Sequence, residues 1–303
     1  MSAETMKTTE SPVPPEAVVV GVDGSDRDAT CLRWGAGAAT RLGKPLHLLH
    51  AHDTAAELAA GDPLGSRALV VLPRLTDDTI LADALAKARR DWPDLSITGS
   101  EPWTSPERAL IDASAAAYLV VVGSRRISGL RRLILGRSAL AVAMHSACPV
   151  VLLPEGARTD AEGPVVVGVD GSDHSRLAAR RALWIAQVRG TSVRVVTSWY
   201  VEIVDGVVVT TPGTPAWEAV EARHRAAAEE VMASVREEYA AVPYEIVVRR
   251  GAAPEVLTAE SAGASLLVLG SRGRGGFRGM LLGSVAHKVL ETATSPVMVV
   301  RRG

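Results

Sequence analysis

The segment "GSRGRGGFRGMLLGS", Gly270 to Ser284, places six glycines and three arginines in fifteen residues, directly after the apolar run "ASLLVLG". A glycine-rich loop entering a helix exposes main-chain N–H groups and adds the positive end of the helix dipole, so it can hold an anion, most naturally a phosphate. Side chains at Gly270, Gly273 or Gly276 would block close approach. Glycine also tolerates the left-handed backbone that such loops often need. Ser284, at the start of "GSVAHKVLETA", is suited to cap that helix and to donate its hydroxyl to a phosphate oxygen. Arg272, Arg274 and Arg278 supply positive charge, either solvated or turned to the anion.

A facing motif, "VVVGVDGSD", offers Gly168 and Asp170. Asp-Gly is also a common turn pair, so Asp170 has a local role open to it beside a ligand-binding one. The glycines have a plain reading too, as turn punctuation. What favours a ligand is the combination of fixed glycine spacing, a serine at a helix start and an aspartate on the opposite loop. The spacing excludes two familiar nucleotide sites. "GVDGSD" is not the G-x-G-x-x-G dinucleotide fingerprint, and no G-x-x-x-x-G-K-[ST] phosphate loop is present.

These loops need strands and helices to carry them, and the chain contains that framework twice. "VVVGVDGSD" stands at Val18–Asp26 and again at Val165–Asp173, and the glycine before the last helix of each half, Gly136 and Gly283, keeps the same offset. The 303 residues divide into a flexible tail at 1–16, a first domain at 17–154, an exposed linker at 155–164, "PEGARTDAEGP" with its neighbours, and a second domain at 165–303. Apolar β-branched runs alternate with helical patterns in each half. In the second these runs are "VVVGV", "SVRVVTSW", "YEIVVRR", "SLLVLG" and "PVMVV". Strands apolar on both faces and spaced by helices predict an α/β fold: two tandem doubly wound, Rossmann-like domains with five-stranded parallel sheets. Ala178, Ala182, Leu183, Ile185 and Ala186 share one helical face, Gly190 supplies a stop, and Pro106 and Pro254 suit first helical turns. Asp53–Leu75 and Val201–Pro215 fit the pattern poorly and are expected to be loops. In such sheets ligands bind at the carboxyl ends of the strands where the winding reverses, which brings the loops after strands one and four together.

The remaining pattern, Gly270, two residues, Gly273, nine residues, Gly283 and Ser284, with "VVVGVDGS" upstream and "SPVMVV" downstream, resembles the ATP-binding class of the universal stress protein family. The resemblance covers nearly the whole chain as a tandem pair. It implies strand order 3-2-1-4-5 in each half and ATP, with or without Mg2+, between the loops after strands one and four. Gly168 and Asp170 would border the nucleoside, with Asp170 near the ribose or a metal. Backbone groups of Ser198 would hold the adenine edge. Gly270, Ser271, Arg272, Gly273, Gly276, Gly283, Ser284 and Val285 would surround ribose and phosphates. The first half keeps Gly21, Asp23, Gly123 and Gly136 but has Arg126 in place of the second glycine and Arg137 in place of the serine, so its site is expected to bind nucleotide weakly or not at all. The resemblance also implies an internal pseudo-dimer of the halves, partly through "CPVVLL" and "SPVMVV". Homodimerisation is open.

Neither half presents a convincing nucleophile and base. His287 reads as an ordinary helical side chain, and of His47, His50 and His52 only the last two would share a strand face, too few for a metal site. Cys31 and Cys148 lack CxxC or metal spacing and suit a reduced, cytoplasmic setting as small buried hydrophobes. Thirty-three basic against thirty-four acidic residues leave a net charge of −1, which argues against nucleic acid or an anionic membrane as partner. No uninterrupted apolar stretch suggests a span, and the N-terminus lacks a signal-peptide core. The expected role is a nucleotide-dependent regulator. The alternatives are a slow ATP hydrolase or adenylate-chemistry relative, and a nucleotide-free interaction module.

Overall fold

The computed structural model describes residues 12–52, 79–126, 133–134, 136–159, 161–201, 203–204, 207–209, 211–275 and 281–301. Asp53–Leu75, Gly276 and Arg278 therefore lie outside the described residues. Two compact units are present. The first runs to Gly123 and includes Ser146–Cys148, and the second comprises Ser124–His145 and the chain from Pro149 onward.

In the first unit β1 (Val18–Gly21), β2 (Leu46–Leu49), β3 (Ile97–Ser100) and the greater part of β4 (Leu119–Arg126) form a parallel sheet in the order β3-β2-β1-β4. A short β5 (Leu133–Ile134) follows, then β6 (Val150–Pro154), which is counted with the second unit. The second repeat contributes β7 (Val165–Gly168), β8 (Val193–Trp199), a two-stranded ladder of β9 (Ile203–Val204) and β10 (Val207–Val208), then β11 (Tyr244–Arg250), β12 (Leu266–Gly270) and β13 (Val297–Val300). Its sheet order is β11-β8-β7-β12-β13, the expected 3-2-1-4-5, and β13 pairs antiparallel with β6. The fifth strands of the two repeats thus meet edge to edge, as the family resemblance implied for "CPVVLL" and "SPVMVV".

The central strands are buried on both faces because helices cover them. Val165, Val166, Val167, Leu267, Val268 and Val299 have no exposed surface. Each such side chain contributes about 1.5–3 kcal/mol of hydrophobic stabilisation. The helix Asp173–Arg189 buries Ala178, Ala182, Leu183, Ile185 and Ala186, the face that the sequence pattern predicts. Ser172 caps its start by accepting from the Ser175 amide at 3.2 Å, and Gly190 ends it in the left-handed conformation, φ 65°. Pro106 and Pro254 occupy first turns, of Pro106–Ala113 and Ala253–Glu260.

Two expectations need correction. The segment after β8 is not simply a loop, since β9 and β10 pair antiparallel, Val207 with Val204 and Val208 with Ile203. In the sequence, Asp205-Gly206 between Ile203-Val204 and Val207-Val208 is the hairpin signal that explains it. The linker is not uniformly exposed either. Glu155, Gly156, Arg158 and Glu162 are, but the small apolar Ala157 and Ala161 are buried.

Candidate functional site

β7 lies between β8 and β12, all three parallel. Val167 pairs with Val268 and Gly168 with Val196, so Asp170, Ser198 near the end of β8 and the chain beyond Gly270 lie at the same end of the sheet. There they bound a crevice of about 460 Å³. Gly168, Asp170, Ser198, Gly270, Ser271, Arg272, Gly273, Gly283, Ser284 and Val285 all line it. The wall also includes Arg274, one of the three arginines the sequence offered, and Ser175, Leu257 and Leu269, which sequence alone did not single out. Leu257 comes from the helix Ala253–Glu260, and nothing in its spacing says which neighbour that helix faces. Leu269 was visible only as a strand residue.

The glycines are bare for reasons of contact. At Gly273 a Cβ would stand 2.4 Å from Asp170 Oδ2, so a side chain there and the carboxylate cannot both keep their places. Asp170 Oδ2 accepts the Arg274 amide at 2.8 Å, while Oδ1 accepts the Ser172 amide at 3.0 Å. The aspartate therefore both shapes its own turn and ties down the glycine-rich loop, so the turn and site roles coexist in one side chain. Burial would raise its pKa, but hydrogen bonds from Ser172, the Arg274 amide and Ser175 outweigh this and hold it below the ordinary carboxylate value. It is an anion at neutral pH.

Gly270 has a different cause. A Cβ would meet the His174 carbonyl oxygen at 2.7 Å, so this glycine lets the helix Asp173–Arg189 lie close against β12. The expectation that left-handed backbone dictates these glycines is not met at Gly270, Gly273 or Gly283. The positive-φ glycines of the second repeat include Gly171, Gly190 and Gly251 instead. Close approach, not backbone conformation, selects Gly270 and Gly273, whereas a Cβ at Gly283 would meet nothing nearer than 3.4 Å. Ser284 is also corrected: it is the first helical residue of Ser284–Thr292, Gly283 is the N-cap, and the cap carries no side-chain hydrogen bond. That leaves the exposed Ser284 hydroxyl to the crevice. Arg272 donates from Nε to His174 Nε2 at 3.2 Å, bridging the glycine-rich loop to the helix beneath it. The Arg274 side chain is exposed.

The first repeat departs from this arrangement locally. Asp23, the counterpart of Asp170, is bound at Oδ2 by Arg27 Nη2 at 2.7 Å and accepts from Ser25. Asp28 in turn accepts the amides of Asp23 and Gly24. Gly21 ends β1 beneath Leu110, and Gly123 lies inside β4, where a Cβ would stand 3.1 Å from Cys31 Sγ. Where the second repeat leaves its strand at Gly270, β4 continues through Arg126, whose backbone pairs with Leu133 of β5. Gly136 precedes the helix Arg137–His145, and Arg137 is exposed.

The histidines are accounted for by packing. His47 is fully buried between the hydroxyls of Thr98 and Ser100, at 2.8 and 2.9 Å, and burial lowers its pKa to about 4. His50 Nδ1 contacts the Val22 carbonyl at 2.9 Å, and His52 stacks on Trp103. Among the described residues no group of three or more His, Cys, Asp or Glu could hold a metal ion. Both cysteines are buried, and burial with the nearby Asp28 and Asp23 pushes the Cys31 thiol up to about 12. No helix among the described residues is long and apolar enough to cross a membrane.

The universal stress protein family model matches residues 15–154 and again 163–301. A universal stress protein of Mycolicibacterium smegmatis is 34% identical over 295 residues, 94% of this chain and 96% of that one. Universal stress protein Rv2005c of Mycobacterium tuberculosis is 32% identical over 301 residues, 94% and 97% of the two chains. Among solved structures, the functionally unknown protein PA1789 of Pseudomonas aeruginosa superposes with a TM-score of 0.65 at 19% identity, covering 95% of this chain and 92% of that one. A universal stress protein from Archaeoglobus fulgidus gives 0.59 at 18%, covering 96% and 98%. With both repeats matched, the fold shared and relatives aligned nearly end to end, the chain belongs to the universal stress protein family as a tandem two-domain member.

Proposed function

We propose that the second repeat binds an adenine nucleotide, ATP with or without Mg2+, and that occupancy of this crevice is a regulatory signal rather than one step of a rapid turnover. The observation that carries this reading is the convergence of Gly168, Asp170, Ser198 and the described residues of the Gly270–Ser284 motif on one crevice rich in glycine main chain. Its volume lies within the roughly 300–1,000 Å³ usual for small-molecule sites. The residues fit the group. Leu257 and Leu269 offer apolar surface to a base, and Ser198 offers main-chain groups to its edge. The amides of the glycine-rich loop, the Ser284 hydroxyl and the Arg272 guanidinium suit phosphate oxygens. Anionic Asp170 suits a ribose hydroxyl or a cation, because beside bare phosphate it would repel. Among the described residues lining the crevice Asp170 is the one carboxylate, and none is His, Lys or Cys, which supports binding over acid–base chemistry.

The first repeat is assigned weak or no binding. Its aspartate is paired with Arg27, and β4 runs on through Arg126 where the second repeat's chain leaves its strand at Gly270. The cytoplasm suits such a ligand. Mass spectrometry of nucleotide released from freshly purified protein, with Gly273→Arg as control, tests the proposal. An adenine nucleotide lost in the variant is the expected outcome. Wild-type protein that neither carries nucleotide nor binds ATP in calorimetry overturns it.

A further inference from the structure

The carboxyl ends of β12 and β13 carry a basic side chain that the glycine-rich motif does not contain. Gly270 pairs with Val300, and the Ser271 amide donates to the Val300 carbonyl at 2.8 Å, so the two chains leave the sheet side by side. Arg272 follows on one and Arg301 on the other, at the end of the sheet where the crevice opens.

Among the described residues neither guanidinium has a carboxylate partner. Arg272 donates from Nε to His174 Nε2 at 3.2 Å, and Arg301 donates from Nη1 to the Ala143 carbonyl at 3.4 Å. The imidazole nitrogen that accepts from Arg272 carries no proton, so it orients that side chain without offsetting its charge. Ala143 belongs to the helix Arg137–His145, which falls in the same compact unit as β13. A carbonyl at 3.4 Å holds Arg301 only loosely. Burial first, and then the charge of Arg272, lower the Arg301 pKa from its ordinary value. Two cations therefore stand in each other's field, and the half-buried one is uncompensated.

That arrangement is unfavourable in the empty protein, and an anion shared by the pair relieves both the repulsion and the missing counter-charge. Phosphate is the fitting class. Forked guanidinium donors match its oxygens two at a time, and a polyphosphate carries charge enough for two arginines where a single carboxylate offsets one. Arg272 lines the crevice, whereas Arg301 is not among its lining residues. The part of a ligand that meets both is therefore its outer end. We infer that Arg301 is a further phosphate-binding residue, which with Arg272 grips the outermost phosphates of a nucleotide seated in the crevice and so selects triphosphate over monophosphate. This rests on the nucleotide reading of the crevice given above.

Calorimetry with ATP, AMP and inorganic tripolyphosphate tests it. Arg301→Gln is expected to weaken ATP on the order of 10- to 100-fold and to leave AMP within about threefold of wild type. Arg301→Lys, which keeps the charge and loses the fork, should fall between. Arg272→Gln should erase the same preference for ATP, so the folding of one variant does not decide the matter. Without nucleotide, the thermal melt of Arg301→Gln should be retained or raised, because a repulsion has been removed. Wild type that binds no adenine nucleotide overturns the crevice reading and this inference together. A wild-type ratio of ATP to AMP affinity in Arg301→Gln overturns the inference alone. So does tripolyphosphate bound as tightly as ATP, which would make the two arginines a site for free anions.

Discussion

Asp170 Oδ2 and the main-chain N–H of Arg274 are joined at 2.8 Å, and the same oxygen fills the space that a Cβ on Gly273 would need. Gly273→Ala is therefore expected to destabilise the second repeat by about 1–3 kcal/mol, as overpacking does. The penalty should largely vanish in an Asp170→Ala background, because the clash is with that carboxylate. A double-mutant cycle on thermal unfolding measures the coupling. Additive effects would show that the loop, not the aspartate, absorbs the methyl.

Gly270→Ala should cost as much or more, about 2–3 kcal/mol, because a Cβ there meets the backbone of His174, which cannot rotate away. Gly123→Ala, facing the Cys31 sulfur at 3.1 Å, should cost less. Comparing the two melting temperatures checks this.

Ser284→Ala separates binding from folding. Since Ser284 is exposed and the N-cap of its helix is Gly283, stability should stay within about 0.5 kcal/mol of wild type. The affinity for ATP should fall roughly tenfold with the loss of one hydrogen bond to a charged group. Calorimetry and a thermal melt on the same sample read both, and should also return one nucleotide per chain, not two.

His47 predicts a pH dependence. Its folded pKa of about 4 lies below the unfolded value near 6.5, so the unfolded chain binds the proton first. Stability from this group is fully present above pH ~6.5, is lost as pH falls toward 4, and changes little below that. The loss amounts to about 3 kcal/mol. His47→Gln should flatten the wild-type dependence between pH 6.5 and 4. An unchanged slope would assign it to other groups.

The architecture was legible because its signals are periodic and occur twice. β-branched runs marked the strands, the 147-residue offset marked the duplication, and Gly190 ended a helix as its chemistry requires. The crevice residues of the second repeat were legible because topology forces the loops after strands one and four to one end of the sheet. What a glycine avoids was not legible. Gly270 clears a helix backbone and Gly273 clears a carboxylate, yet both look alike as letters. Leu257 entered the wall through helix packing, which no local spacing records. The β9–β10 hairpin carried its Asp-Gly signal openly, but its strands are too short to stand out against a long irregular segment.

The antiparallel junction of β6 with β13 has a practical corollary for anyone dividing the molecule. Severing the chain between Pro154 and Pro164, where one sequence repeat gives way to the next, would take Val150–Leu152 away from Val297–Val299. The excised C-terminal half would then present a naked valine-rich border, free to recruit a twin or to aggregate. The apparent seam in the letters is thus not a seam in the sheet.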